Sequence, residues 1–248
     1  MRARYGARDS RDSRVAPTTH AHERPMRRFA PAWVHSTCFA LAGVAGYVNS
    51  LAWLGAHHKG ISHVTGAITE AGVRAASLGG SRAAESLVVL AAFATGAVVS
   101  GVLIGDVTLR LGRRYGVGLL LESALLVGAY LASARGHAVS ADCLAAAACG
   151  LQNALATNFG SAGIRTTHMT GVLTDLGLLL GQAIRLRRLD TWRLWLFLAL
   201  LTGFFGGAVA GARASATFGR EALLLPAGVL AAVAVSYWAW RQHASRGS

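Results

Sequence analysis

The stretch Leu194-Trp195-Leu196-Phe197-Leu198-Ala199-Leu200-Leu201-Thr202-Gly203-Phe204-Phe205-Gly206-Gly207-Ala208-Val209-Ala210-Gly211-Ala212 carries no charge over nineteen positions and is bracketed by Arg193 and Arg213. As an α-helix it extends about 28 Å, close to the ~30 Å hydrocarbon thickness of a bilayer. A surface helix of a soluble domain needs a polar face, and Thr202 alone does not make one. Five further predominantly apolar blocks, 37–56, 86–105, 116–133, 141–159 and 222–240, are long enough to cross as well. The expectation is an all-α fold, a polytopic membrane helical bundle with six strong spans.

Composition agrees. Apolar residues make up 53% of the chain and charged ones 14%, where soluble domains carry about a quarter charged. Mean hydropathy is +0.43. The formal charge of +13 would suit a nucleic-acid binder, but its placement does not. Eight arginines lie in the first 28 residues, the rest sit mostly at the ends of apolar blocks, and Lys59 is the single lysine. That is the distribution of positive charge beside membrane spans, and no nucleic-acid partner is expected. Residues 1–29 mix arginine with Ser, Thr, Asp and His and cannot offset the entropy of ordering, so they are expected to form a disordered cytoplasmic arm; translation from Met26 is the alternative. Segment 242–248 reads as a short C-terminal tail. Cys38, Cys143 and Cys149 form no C-x-x-C pair, and neither a disulfide, a metal site nor a cofactor is expected.

Two shorter segments, 64–79 and 169–184, have helical pattern but are interrupted by Glu70 with Arg74 and by Asp175. They belong to an internal repeat. At an offset of 104 to 105, Gly46, Asn49, Leu51 and Ala52 fall on Gly150, Asn153, Leu155 and Ala156, and His63, Thr65, Gly66, Thr69, Glu70 and Gly72 fall on His168, Thr170, Gly171, Thr174, Asp175 and Gly177. Farther on, Gly96 and Ser100 align with Gly203 and Gly207, and Glu122 with Pro226. The chain is therefore expected to hold two tandem copies of one membrane unit, 30–134 and 135–241. If the motif segments are re-entrant, each copy has three spans and the second is inverted, as in many transporters. If they span, each copy has four and the two are parallel. Charge counting separates these weakly: the N-terminal side holds 18 of the 24 basic residues with six spans and 17 with eight. Either way the N-terminus is cytoplasmic.

The stretches Ala45-Gly46-Tyr47-Val48-Asn49, Ser62-His63-Val64-Thr65-Gly66, Gly150-Leu151-Gln152-Asn153 and Thr170-Gly171-Val172-Leu173-Thr174-Asp175-Leu176-Gly177 resemble the YoaK-like bacterial membrane proteins, a family of unknown function often described as small permeases. The resemblance covers roughly 39–240. It implies a multi-pass protein of the bacterial inner membrane and supplies no activity. This chain departs from the family in carrying Asn49 where Asp is usual and Ala67 where Asn is usual.

On a helix, positions i, i+3 and i+7 share a face, so His63, Gly66 and Glu70 form one polar stripe and His168, Gly171 and Asp175 another. Histidine and acid stand roughly 10.5 Å apart along the axis, too far to bond each other but able to line one cavity. The plain alternative is that Ser62-His63 and Thr167-His168 are helix starts near the membrane surface, with Ser62 or Thr167 capping free N–H groups. Asn49 and Asn153, inside apolar blocks, need partners on neighbouring segments or on a substrate. Glu122 is a possible proton carrier, unless Arg113 or Arg114 pairs with it. The row Gly203, Gly207, Gly211 and the pair Gly101 and Gly105 read as faces for close helix packing.

Signatures of soluble and membrane hydrolases, of P-loops and of dinucleotide sites are absent, and an enzyme is not expected. The leading expectation is a small inner-membrane transporter, with Asn49, His63, Thr65, Gly66, Glu70, Asn153, His168, Thr170, Gly171 and Asp175 at a polar site between the two copies. Its partners would be the lipid bilayer and a small-molecule or ion substrate, with a homo-oligomer as a further option. Histidine as a residue type changes charge between about pH 5 and 8, which suits proton coupling. The competing expectation is a membrane scaffold or accessory subunit whose motif only packs helices.

Overall fold

The structure, a computed structural model, describes residues 33–55, 61–77, 80–104, 113–157 and 166–246; the arm expected at 1–29 lies outside them. The described residues all belong to one compact unit. Its elements are α1 (Trp33–Leu54), α2 (Val64–Ala76), α3 (Gly80–Ile104), α4 (Arg113–Ala134), α5 (Ala138–Thr157), α6 (Met169–Leu186), α7 (Thr191–Phe218), a 3-10 turn (Gly219–Leu223) and α8 (Leu224–Arg246). All are helical, and the described part of each apolar block falls mainly on one α-helix, the block at 222–240 starting in the 3-10 turn. Segment 242–248 is not a separate tail as far as Arg246, because α8 runs on to that residue.

Among the described residues, length and composition make four segments able to cross a membrane: Trp33–Leu54, Ala83–Ile104, Arg114–Ala134 and Thr191–Trp240. The last covers both α7 and α8. Helix α5 is alanine-rich and carries Asp142, Gln152 and Asn153. Large apolar side chains such as Val98, Val102, Phe205 and Val235 face outward, where a soluble fold would place charge and a membrane protein places lipid-facing groups.

Apolar attraction does not hold helices together in lipid; close approach of backbones does. The tightest approaches run along α1 and α7. A Cβ on Gly46 would overlap the Phe204 carbonyl, one on Gly203 the Phe39 carbonyl, and one on Gly207 the Gly43 carbonyl. The expected row Gly203, Gly207, Gly211 is therefore a packing face, and its ascending order against Phe39, Gly43 and Tyr47 makes the two helices parallel. The same device joins α3 to α5, where Gly96 meets the Ala147 carbonyl and Gly150 the Phe93 carbonyl. Gly101 does not act this way: nothing lies within 4 Å of its Cβ position. It points away from the neighbouring helices, and Gly105 is outside the described residues.

Other contacts set the remaining directions. Gln152 Nε2 donates to the Leu41 carbonyl at 2.7 Å, Ala156 near the end of α5 lies with Val34 and Thr37 near the start of α1, and Ala141 and Asp142 near the start of α5 lie with Leu51 and Ala52 near the end of α1, so α1 and α5 are antiparallel. Helix α4 runs against α5, with Gly118 on Leu155 and Gly128 on Leu144. It also runs against α8: Gly116 meets Trp238, and Ser123 Oγ donates to the Ala227 carbonyl at 2.7 Å. Helix α2 packs on α3 and α6 on α7, and among the described residues α2 and α6 do not touch each other.

The break between α7 and α8 has a local cause. Gly219 takes φ +58°, a left-handed conformation that ends α7 and that other residues adopt at a cost. Pro226 then cannot donate to the carbonyl one turn back.

Candidate functional site

Asn49 is buried on α1, and its side chain reaches the segment that enters α2. Its Oδ1 accepts from the Ser62 hydroxyl at 2.9 Å and from the Ser62 N–H at 3.4 Å. Its Nδ2 lies 3.3 Å from His63 Nε2. At the matching position of α5, Asn153 Oδ1 accepts from the Thr167 N–H at 3.3 Å. Each asparagine therefore holds the start of the following short helix, fourteen or so residues downstream. A backbone N–H just ahead of a helix has no intrahelical partner, and in an apolar setting an amide oxygen satisfies it.

The short helices begin alike. His63 and His168 sit at the N-cap with φ −91° and −92° and ψ 72° and 61°, and neither ring caps its helix. The expectation of a helix start at these residues holds, but Ser62 does not cap: its hydroxyl is taken by Asn49. Sequence reading missed Ser62 and Thr167 as partners of the asparagines, although both directly precede the repeated histidines. It also missed Gln152, buried beside Asn153.

Beyond the caps the two short helices diverge. A Cβ on Gly171 would overlap the His168 ring, so the missing side chain makes room for that ring. At Gly66 the nearest atom is His63 Cβ at 3.7 Å, because the His63 ring turns to Asn49. Glu70 binds Arg74 one turn on through Nε at 2.8 Å and through Nη2. The position matching Arg74 is Leu179, which is buried, and no ion pair joins Asp175 to any described residue. Thr65 and Thr170 are exposed, and their carbonyls accept from Thr69 and Thr174, each at 2.9 Å.

The structure does not gather the ten residues. Asn49, Ser62 and His63 form one cluster and Asn153 with Thr167 a second. His63, His168, Thr65, Thr170 and Asp175 are exposed on α2 and α6. No described cavity includes any of the ten; the larger one, about 280 Å³, lies at the C-terminal end of α1.

Glu122 lies on α4 and is 1% exposed, with no hydrogen-bond partner for Oε2. Among the described residues no arginine pairs with it; Arg114 is exposed two turns away on the same helix. Its next neighbour Ser123 bonds α8, while the carboxyl faces α5, close to Cys149.

A one-chain bundle of apolar helices, joined by glycine contacts and isolated polar ties, defines an integral membrane protein. The chain belongs to the family described as protein of unknown function (DUF1275), whose model matches residues 37–236. The YoaK-like resemblance of its motifs is consistent with that family. No curated protein and no solved structure matches the chain.

Proposed function

We propose that the protein is a small transporter of the bacterial inner membrane, built from two inverted copies of a three-span unit with its N-terminus in the cytoplasm. One observation carries this reading: α1 and α5, whose asparagines hold the following segment in the same way, run antiparallel. Two equivalent helices pointing opposite ways are what inverted repeats produce, and such repeats underlie alternating access.

The other directions support it. With α1 taken as rising, α3 and α5 descend, α4 and α7 rise and α8 descends. Helix α2, 13 residues long, thus begins and ends on one side, and at about 20 Å it is too short to cross. Spans α1, α3, α4, α5, α7 and α8 then alternate in direction, and α2 and α6 sit at opposite faces. The glycine crossings shift the sequence alignment by one turn: Gly96 plays the part of Gly207, not Gly203, since each meets the carbonyl three residues before the glycine of the facing helix.

In this reading Asn49 and Asn153 fix the short helices to the spans. His63, Glu70, His168 and Asp175, beside Thr65, Gly66, Thr170 and Gly171, present titratable groups at the two faces for proton coupling, and Glu122 is a proton carrier within the bundle. Neither cofactor nor metal is called for, and no enzymatic step is assigned. The partners are the bilayer and a small solute, with self-association as an option. The scaffold reading draws on one observation: the Asn49 amide is already occupied by Ser62 and His63.

Single cysteines at Thr65 and Thr170, in protein lacking Cys38, Cys143 and Cys149, test the architecture. The impermeant reagent is expected to label them from opposite faces; labelling from one face overturns the inverted reading. His63→Ala and His168→Ala are expected to stop solute flux in proteoliposomes while the protein still folds. Loss of folding in both favours the scaffold.

A further inference from the structure

The larger cavity lies among the C-terminal end of α1, the C-terminal end of α4, the start of α5 and the α7–α8 junction. Leu51, Ala52 and Ala145 give it an apolar floor, and Asp142 and Arg220 bring opposite charges to its wall. At about 280 Å³ it stands at the lower edge of ligand-sized sites, which run from roughly 300 Å³. Arg220 also lies 3.8 Å from Glu221 through Nε, with both side chains about half exposed, and its Nη1 donates to the Ala134 carbonyl at a long 3.5 Å. An exposed pair of that kind is worth little, so the guanidinium is available to a better-placed anion.

A second, much smaller cavity of about 10 Å³ is lined by residues that include Val34, Thr37, Cys38 and Leu41. Moving those numbers by the repeat offset of 104 gives Ala138, Ala141, Asp142 and Ala145, all four of which line the larger cavity. Ala156 of the small cavity likewise corresponds to Ala52 of the large one. The two sit at opposite ends of α1, whose 22 residues extend about 33 Å. They are one site written twice, open at one face and collapsed at the other. Val34, Thr37 and Leu41 are larger than the alanines they replace, and Cys38 removes the charge of Asp142.

We infer that the cavity at the C-terminal end of α1 is a vestibule for a small zwitterionic solute, Arg220 facing its carboxylate and Asp142 its ammonium, and that the collapsed cavity is the closed counterpart at the cytoplasmic face. This rests on the inverted-repeat transporter reading and adds the place and chemical class of the solute. An amino acid of modest size has the required pair of charges, with a side chain for the apolar floor.

The test uses the full chain in proteoliposomes with single cysteines at Ala52 or Ala156 in the cysteine-free background. The Ala52 thiol is expected to react with an impermeant reagent from the face opposite the N-terminus, and the Ala156 thiol to react severalfold more slowly from either face. L-Leucine and L-serine are the zwitterionic probes; leucinamide lacks the carboxylate and 4-methylpentanoate lacks the ammonium. The zwitterions are expected to slow labelling at Ala52 severalfold and the two analogues to have no such effect. Arg220→Gln is expected to abolish protection, judged against that variant's own labelling rate without solute. Equal protection by an analogue, or none by either zwitterion, overturns the assignment even if Thr65 and Thr170 label from opposite faces and the inverted reading stands. Ala52 and Ala156 reacting from the same face overturns both.

Discussion

The Tyr47 hydroxyl donates to the Ala222 carbonyl oxygen at 3.0 Å, and so supplies the kind of hydrogen that Pro226, four residues on, lacks. A side chain of α1 thereby serves the bend between α7 and α8. Tyr47→Phe is expected to lower stability by about 1 kcal/mol, the usual net worth of such a bond. With Pro226→Ala in the background, which returns an amide hydrogen, the loss should shrink. Thermal unfolding of the four proteins in detergent measures the coupling, and equal losses in the two backgrounds refute it.

The glycine contacts are uneven, and that unevenness can be measured. Gly46→Ala and Gly207→Ala each drive a methyl group into a backbone carbonyl, and overpacking of this kind costs about 1–3 kcal/mol. Gly101→Ala and Gly206→Ala meet nothing within 4 Å and should leave the melting temperature unchanged or slightly raised. A uniform response across all four would contradict the parallel packing of α1 and α7.

The two asparagines differ in how much they hold. Asn49 engages Ser62 twice and His63 once, whereas Asn153 engages the Thr167 N–H. Interhelical polar contacts in membranes average roughly 0.6 kcal/mol, so Asn49→Ala should cost about 1–2 kcal/mol and Asn153→Ala clearly less. Limited proteolysis at 61–63 should speed up in the first variant and not in the second.

Glu122→Met removes a buried carboxyl whose Oε2 has no partner and keeps the side-chain volume similar. An unpaired buried polar atom costs about 1–3 kcal/mol, and the variant should be more stable by an amount of that order. If the carboxyl carries protons for transport, the same variant loses coupled flux. Lower stability would mean that Glu122 has a partner that only the membrane supplies.

The spans were legible because a bilayer imposes length: a run such as 194–212 without charge has one ready reading, and α7 does contain it. The matching Asn, His and Thr-Gly positions were legible as a pair of like sites, and the N-cap residues of the two short helices agree to 1° in φ and 11° in ψ. What failed to show was partnership. Nothing in the spacing of Gly101 distinguishes it from Gly203, since a glycine's neighbour depends on where helices cross and not on its own surroundings in the chain. Ser62 looked like a cap because serine before a helix usually is one, and Asn49, thirteen residues earlier, took its hydroxyl. The separation of the ten motif residues into two places was likewise hidden, because helical periodicity describes one helix at a time.

The contact of Gly46 with the Phe204 backbone also bears on how the protein is made. The helix that completes the packing of α1 is encoded 158 positions later, so at roughly 5–20 residues per second the ribosome needs roughly 8–30 s to deliver it. Throughout that interval the small-residue face of α1 is open to lipid or to any other nascent helix nearby. Two separately encoded halves would each lack that seam and, if brought together in one membrane, would have the means to find it.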